Sequence, residues 1–173
     1  MMGIILDTNC FSPVFSSSDR KHKEFKPVLD YVLEGIGKFV YGGSKYFREL
    51  KKAKKYSKIL SIFNKYNKCQ VIEKSKVDKI QKNITEKKKS SDFDDPHLAA
   101  IVIASRCYLI CTEDARSHSF LKDKSIYPKG IQVPKFYSGK NNMNLLAGYE
   151  NTGEKLNKKK KELIKKNIKN VLI

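Results

Sequence analysis

Short apolar runs alternate along this chain with longer stretches in which apolar residues recur every three or four positions. Residues 2–6 are a continuous apolar run, the pattern of a strand buried in a parallel sheet, and residues 38–41, 69–72 and 108–111 are three further short strands. Residues 131–134 are the candidate for a fifth strand. Between these runs the period becomes helical. Phe25, Val28, Leu29, Val32 and Leu33 share a face, and Gly35 and Gly37 follow at its carboxyl end. Ser44 is a fitting N-cap for a helix through Tyr46, Phe47, Leu50 and Ala53, and the same pattern runs on through Tyr56, Ile59, Leu60 and Phe63. Val77, Ile80 and Ile84 predict a helix over residues 76–84, with a polar loop at 85–93. Residues 95–106 read as a strongly apolar helix with Pro96 at the first helical position, where its missing N–H is harmless. Residues 11–18 suit a short helix or turn, and 115–122 a short helix. This alternation predicts an α/β fold, a three-layer α/β/α sandwich around a central parallel sheet.

After residue 140 the pattern differs. Residues 141–153 form a polar, glycine-containing linker. Beyond it Leu156, Leu163, Ile164, Ile168, Val171 and Leu172 fall along one helical stripe with lysines elsewhere, an amphipathic basic helix. The expected organisation is a domain over residues 1–140 and a linker with a basic helix over 141–173. That helix either docks on the domain or serves as an arm for nucleic acid or a partner protein.

A chain of 173 residues buries a core without disulfides or a structural metal. Cys10, Cys69, Cys107 and Cys111 form no CxxC pair, and no histidine stands at zinc-finger spacing, so reduced and mostly buried thiols are expected. No apolar stretch approaches the roughly 20 residues that span a bilayer. The opening MMGIIL is too short for a signal peptide and has no basic leader. A cytoplasmic protein without a membrane partner is the expectation. The net charge of +18 favours a polyanion as partner. It also fits a lysine-rich compositional bias, because only Arg20, Arg48, Arg106 and Arg116 are arginines.

Against this basic background four acids stand in distinctive places. Asp7 ends the first apolar run, Glu49 lies in the helical pattern after Ser44, Asp95 opens the apolar helix, and Asp114 follows the fourth run. Strand, acid, turn is how an α/β fold delivers a carboxylate to the carboxyl edge of its sheet, where ligands bind. Several carboxylates at one edge repel each other unless a hard cation neutralises them, and oxygen-only ligation suits Mg²⁺ or Mn²⁺. Three of the acids also have an ordinary explanation: Asp7 and Asp95 as helix caps, Glu49 as a solvated helix charge. Thr8 or Asn9 is placed to hold Asp7 by hydrogen bonds, and Thr112 to donate to a ligand or carboxylate. Asp94 is a solvent-facing neighbour of Asp95 or an outer carboxylate of the site, and Glu113 is expected to face solvent. Tyr46, Phe47 and Phe93 are candidates for stacking unpaired bases, with core packing the favoured role for Phe47.

The stretches ILDTN at residues 5–9, FREL at 47–50, DDPHLAAIVIA at 94–104 and LICTEDAR at 109–116 together resemble the PIN-domain nucleases, in order and in separation. The Asp-x-His-Leu-Ala form of the third stretch is similar to a subgroup common in bacteria and archaea. The resemblance spans roughly residues 2–137, and each motif is short. It implies that Asp7, Glu49, Asp95 and Asp114 are catalytic metal-site acids binding Mg²⁺ or Mn²⁺. Thr112 would be the hydroxyl residue before the last acid and Asn9 a supporting group near the first. It implies a metal-dependent endoribonuclease acting on single-stranded or structured RNA, as a toxin with a neutralising antitoxin, a defence component or a processing enzyme, and often as a homodimer. His97 would contact a scissile phosphate or hydrogen-bond nearby backbone or carboxylate. A DNA-directed nuclease and a non-catalytic RNA-binding module with a PIN-like fold remain alternatives. The basic tail after residue 141 has no counterpart in the compact family core.

Overall fold

The computed structural model describes residues 3–147 and 155–173. Five strands, β1 (Gly3–Leu6), β2 (Lys38–Gly42), β3 (Cys69–Ile72), β4 (Leu109–Cys111) and β5 (Lys135–Tyr137), form one all-parallel sheet in the order β3-β2-β1-β4-β5. β1 is central, pairing Ile5 with Val40 on one side and with Ile110 on the other. Chain order therefore reverses direction at β1 and β4, and the strand ends there form the crevice in which such sheets bind ligands.

Helices flank the sheet: α1 (Phe11–Phe15), α2 (His22–Leu33), α3 (Ser44–Lys52), α4 (Lys54–Lys65), α5 (Lys74–Lys87), α6 (Pro96–Ser105), α7 (Ala115–Leu121) and α8 (Lys158–Leu172). The expected three-layer α/β/α sandwich is present. One layer is built on aromatic rings: Phe11 and Phe15 of α1 meet Tyr56 of α4, and Phe15 and Phe63 meet Phe39 of β2. In the other, α6 lies on β1, β2 and β3 and is covered by α5. Leu98 through Val102 are all buried, which is why this helix is apolar all round rather than striped. All four cysteines are free and buried.

Four elements depart from the sequence pattern. The fifth strand lies at Lys135–Tyr137, not at 131–134. Pro134 has no N–H for a ladder, whereas the Lys135 amide donates to the Tyr108 carbonyl at 2.8 Å and Phe136 and Tyr137 are buried. The helical pattern across Ala53 is broken, because Ala53 (φ −101°, ψ 58°) separates α3 from α4. α5 continues to Lys87, into the expected loop, since its polar residues are good helix formers on a solvent face. Ser44 is not the cap of α3 but its first residue. Gly43 occupies the cap position at φ +82°, and Asp78 of α5 caps from across the groove, accepting from the Ser44 amide (2.7 Å) and hydroxyl (2.6 Å).

The tail joins the fold. Lys140–Leu146 is a 3₁₀ segment against α2 and β5, within what reads as linker; residues 148–154 of that linker lie outside the described residues. α8 docks on α4, burying Ile164 and Ile168 in the main core, and Lys161 and Lys165 both reach Glu34 at the end of α2 (2.5 and 3.0 Å).

Gly43 needs its missing side chain twice over. Its φ is left-handed, and a Cβ would stand 2.6 Å from Val77 Cγ1. Gly43→Ala is expected to destabilise the fold by about 2 kcal/mol, read as a lower urea midpoint at unchanged slope.

Candidate acidic site

Asp7 leaves β1 at its carboxyl end with its amide donating to the Cys111 carbonyl at 2.9 Å, so the parallel pairing with β4 fixes where it stands. The side chain is only 5% exposed. Its Oδ2 accepts from Thr112 Oγ1 (2.7 Å), just past β4, and from Asn9 Nδ2 (2.9 Å). Burial pushes the Asp7 pKa up to about 6; the Thr112 hydrogen bond opposes this, and the charges of Asp95 and Glu49 add to it. Asn9 thus holds the acid beside it, and Thr112, placed by the sequence before the last acid as a donor to a ligand or carboxylate, donates to the first one.

Glu49 arrives from α3, half-buried, with Oε2 accepting from Thr8 Oγ1 at 3.1 Å. Burial raises its pKa too, so it is not the solvated helix charge its lysine neighbours suggest. Thr8 thus serves Glu49 rather than Asp7. Asp95 holds the cap position of α6 but its side chain caps nothing there. Oδ2 instead accepts from Ser117 Oγ of α7 at 2.6 Å, and Oδ1 lies 3.7 Å from Lys45 Nζ. Lys45 also donates to the Asp94 backbone carbonyl. Asp94 itself is exposed and enters through that carbonyl, not its carboxylate.

His97 fills the space between two of these acids. It is 1% exposed, with Nε2 3.8 Å from Glu49 Oε2 and Nδ1 3.9 Å from Asp95 Oδ1, and neither nitrogen has a hydrogen-bond partner. Burial lowers its pKa to about 3, so the ring is neutral near pH 7. A neutral imidazole has one donor nitrogen and one acceptor, so one nitrogen faces a carboxylate that cannot donate to it. Asp114 stands at the rim. Its carboxylate caps α7 through the Arg116 amide (2.9 Å) and pairs with the Arg116 guanidinium (3.3 and 3.4 Å), which holds its pKa below the ordinary range. Ser117 Oγ, 3.4 Å from Asp114 Oδ2, links it to Asp95.

The fold thus gathers Asp7, Glu49, Asp95 and His97, with Asp114 beside them. Ser117 and Lys45 were not singled out by the sequence. A signal existed for each: Lys45 precedes Glu49 by one helical turn, on the same face, and Ser117 lies one turn after Asp114. Glu113 does not face solvent freely; it is partly buried and paired with Lys21 at 2.5 Å. The aromatic candidates are packing groups. Tyr46 is 1% exposed and donates to the Leu6 carbonyl (2.6 Å), Phe93 stacks on Phe120, and Phe47 packs edge-on against Tyr41. An open cleft of about 300 Å³ runs between α3 and α5 beside the cluster, with Lys45, Arg48 and Lys82 in its walls.

Among the described residues no three His, Cys, Asp or Glu side chains converge as a ready chelate. The donor chemistry nevertheless fits a hard cation. Mg²⁺ is commonly held by one or two carboxylates with water completing its shell, and the cluster combines mutually opposed acids with an unsatisfied buried ring. Comparison of the chain with protein-family models, curated proteins and solved structures gives no match.

The Asp7 pKa carries a stability consequence. A carboxyl whose folded pKa lies above its unfolded value stabilises the fold most below the unfolded pKa of 3.8, and that contribution is lost as pH rises through about 6. Asp7→Asn removes the ionisation. Relative to wild type, the metal-free variant should gain roughly 2–3 kcal/mol between pH 4 and pH 8, measured by denaturant unfolding at several pH values.

Proposed function

We propose that this protein is a metal-dependent nuclease that hydrolyses phosphodiester bonds in RNA, of the PIN type that its four motifs resemble. One observation carries the reading. Asp7, Glu49 and Asp95 come from three separate elements, meet at the carboxyl edge of the sheet, and are each held by a dedicated hydroxyl from elsewhere in the chain. Acids kept only for solubility have no need of such placement.

Asp7, Glu49 and Asp95 would hold Mg²⁺ or Mn²⁺, with Asp114 at the edge of the same site. When bound, the ion neutralises phosphate charge and acidifies water. The remaining work belongs to the chain. Thr112 and Asn9 fix Asp7, Thr8 fixes Glu49, and Ser117 fixes Asp95, so the oxygens stand preorganised. Asp7, whose carboxyl burial pushes up to about 6, is the carboxylate suited to orient and deprotonate the attacking water. The hydroxyls of Thr112 and Ser117 are engaged as donors to carboxylates, so water is the nucleophile we propose; the resemblance to PIN-domain nucleases implies that O3′ is the leaving group, giving a 5′-phosphate and a 3′-hydroxyl. Lys45, beside Asp95 and in the wall of the cleft, is placed to meet a phosphate oxygen of the incoming strand.

The test is cleavage of end-labelled single-stranded RNA in Mn²⁺ or EDTA. Wild type should cut only with the metal, and Asp7→Asn, Glu49→Gln and Asp95→Asn should each lose at least about 100-fold in rate. Asp114→Asn should lose less, because Arg116 already engages that carboxylate. Undiminished cutting by Asp7→Asn and Asp95→Asn overturns the proposal.

A further inference from the structure

The docking of α8 answers one question and opens another. Its apolar side is used internally: Ile164 and Ile168 are buried on α4, and Lys161 and Lys165 are clamped to Glu34. What remains outside is lysine. Lys158, Lys159, Lys160, Lys166 and Lys169 of α8 are exposed, and the adjoining α4 exposes Lys54, Lys55, Lys58 and Lys65. α4 contains no acidic residue and α8 only Glu162. Among the described residues none of these nine lysines lies within ion-pair distance of an acid.

Two packed helices bearing uncompensated lysines repel each other, and the docked state keeps that repulsion. We infer that the paired α4 and α8 helices form a second nucleic-acid-binding surface, one that holds the phosphate backbone without reading sequence. The surface shares no residue with the acid cluster. Its chemistry selects this occupant. Compact ammonium charges without arginine bind phosphates as single points rather than through planar, bidentate pairs. A bilayer would need the apolar face of α8, which α4 already covers. An acidic protein partner would need a buried anchor, and the only large apolar side chains exposed on α8 and its end, among the described residues, are Leu163 and the last residue, Ile173, beside lysines, Glu162 and Asn170. The driving force on a polyanion is release of its condensed counterions, which grows with the number of phosphates neutralised.

The experiment compares the full chain with a Lys159→Glu, Lys166→Glu, Lys169→Glu variant, binding fluorescent single-stranded and hairpin RNA in EDTA across a salt series. Because no metal is present, the readout is independent of cleavage, and failure here leaves the nuclease proposal standing. These lysines take no part in the Glu34 clamp, and circular dichroism with thermal unfolding confirms that the variant is folded. Wild type should bind with an affinity that falls steeply with salt. The variant should bind at least about tenfold more weakly, with a slope shallower by roughly 0.7 for each phosphate of a single strand that it no longer neutralises. Equal affinity and slope overturn the inference. So does retained RNA binding accompanied by loss of binding to vesicles containing phosphatidylserine, which would assign the surface to a membrane.

Discussion

Burial of carboxylates in a partly dry pocket, with their mutual repulsion added to it, is the constraint around which this protein is arranged. Three acids at the end of a buried sheet are costly, and the cost is visible in an Asp7 carboxyl pushed up to about 6 and a Glu49 raised with it. A fold selected for stability alone would place amides or apolar groups there. This one holds each acid in position. The Thr112 hydroxyl accepts from the Asp114 amide and donates to Asp7, so the end of β4 both supports the first acid and directs the last one outward.

The sheet makes that arrangement possible. β1 and β4 are neighbours because the strand order turns there, and their parallel register sets Asp7 and Thr112 side by side. α3 and α6 then deliver Glu49 and Asp95 from the two adjoining connections. His97, on the first turn of α6, fills the gap between them without satisfying either nitrogen. A buried polar group with no partner is a cost a core position would not retain, and it lies where a cation or ordered water would complete the set.

Much of this was legible in the sequence, for reasons that differ by element. A strand buried on both faces is a continuous apolar run, so β1 announced itself, and an acid directly after it needs little more than that to be placed; edge strand β3, with Gln70 inside it and Val71 exposed, carried a weaker signal. Ala53 broke a helix without a glycine or proline to signal it, and α5 outran its apolar face on lysine and glutamate propensity alone. The fifth strand was displaced because residues 131–134 contain the right apolar residues but Pro134 cannot join a ladder. Within the site, local pairs such as Asn9 with Asp7 could be read, while Thr8 with Glu49 and Ser117 with Asp95 depend on tertiary approach between distant segments. The aromatic side chains failed as predictors of binding because rings most often belong to the core: Tyr46 does so from α3, and Phe93 from the loop before α6, stacked on Phe120.

Cation binding is the claim on which the rest turns, and it is open to direct observation without substrate. Mn²⁺ titrated into the metal-free protein and followed by electron paramagnetic resonance counts free and bound ion. Wild type should show a saturable class of sites that Mg²⁺ competes away and that is lost in the combined Asp7→Asn, Asp95→Asn protein, with thermal stability rising with metal only in wild type. Identical titrations for the two proteins would contradict the account.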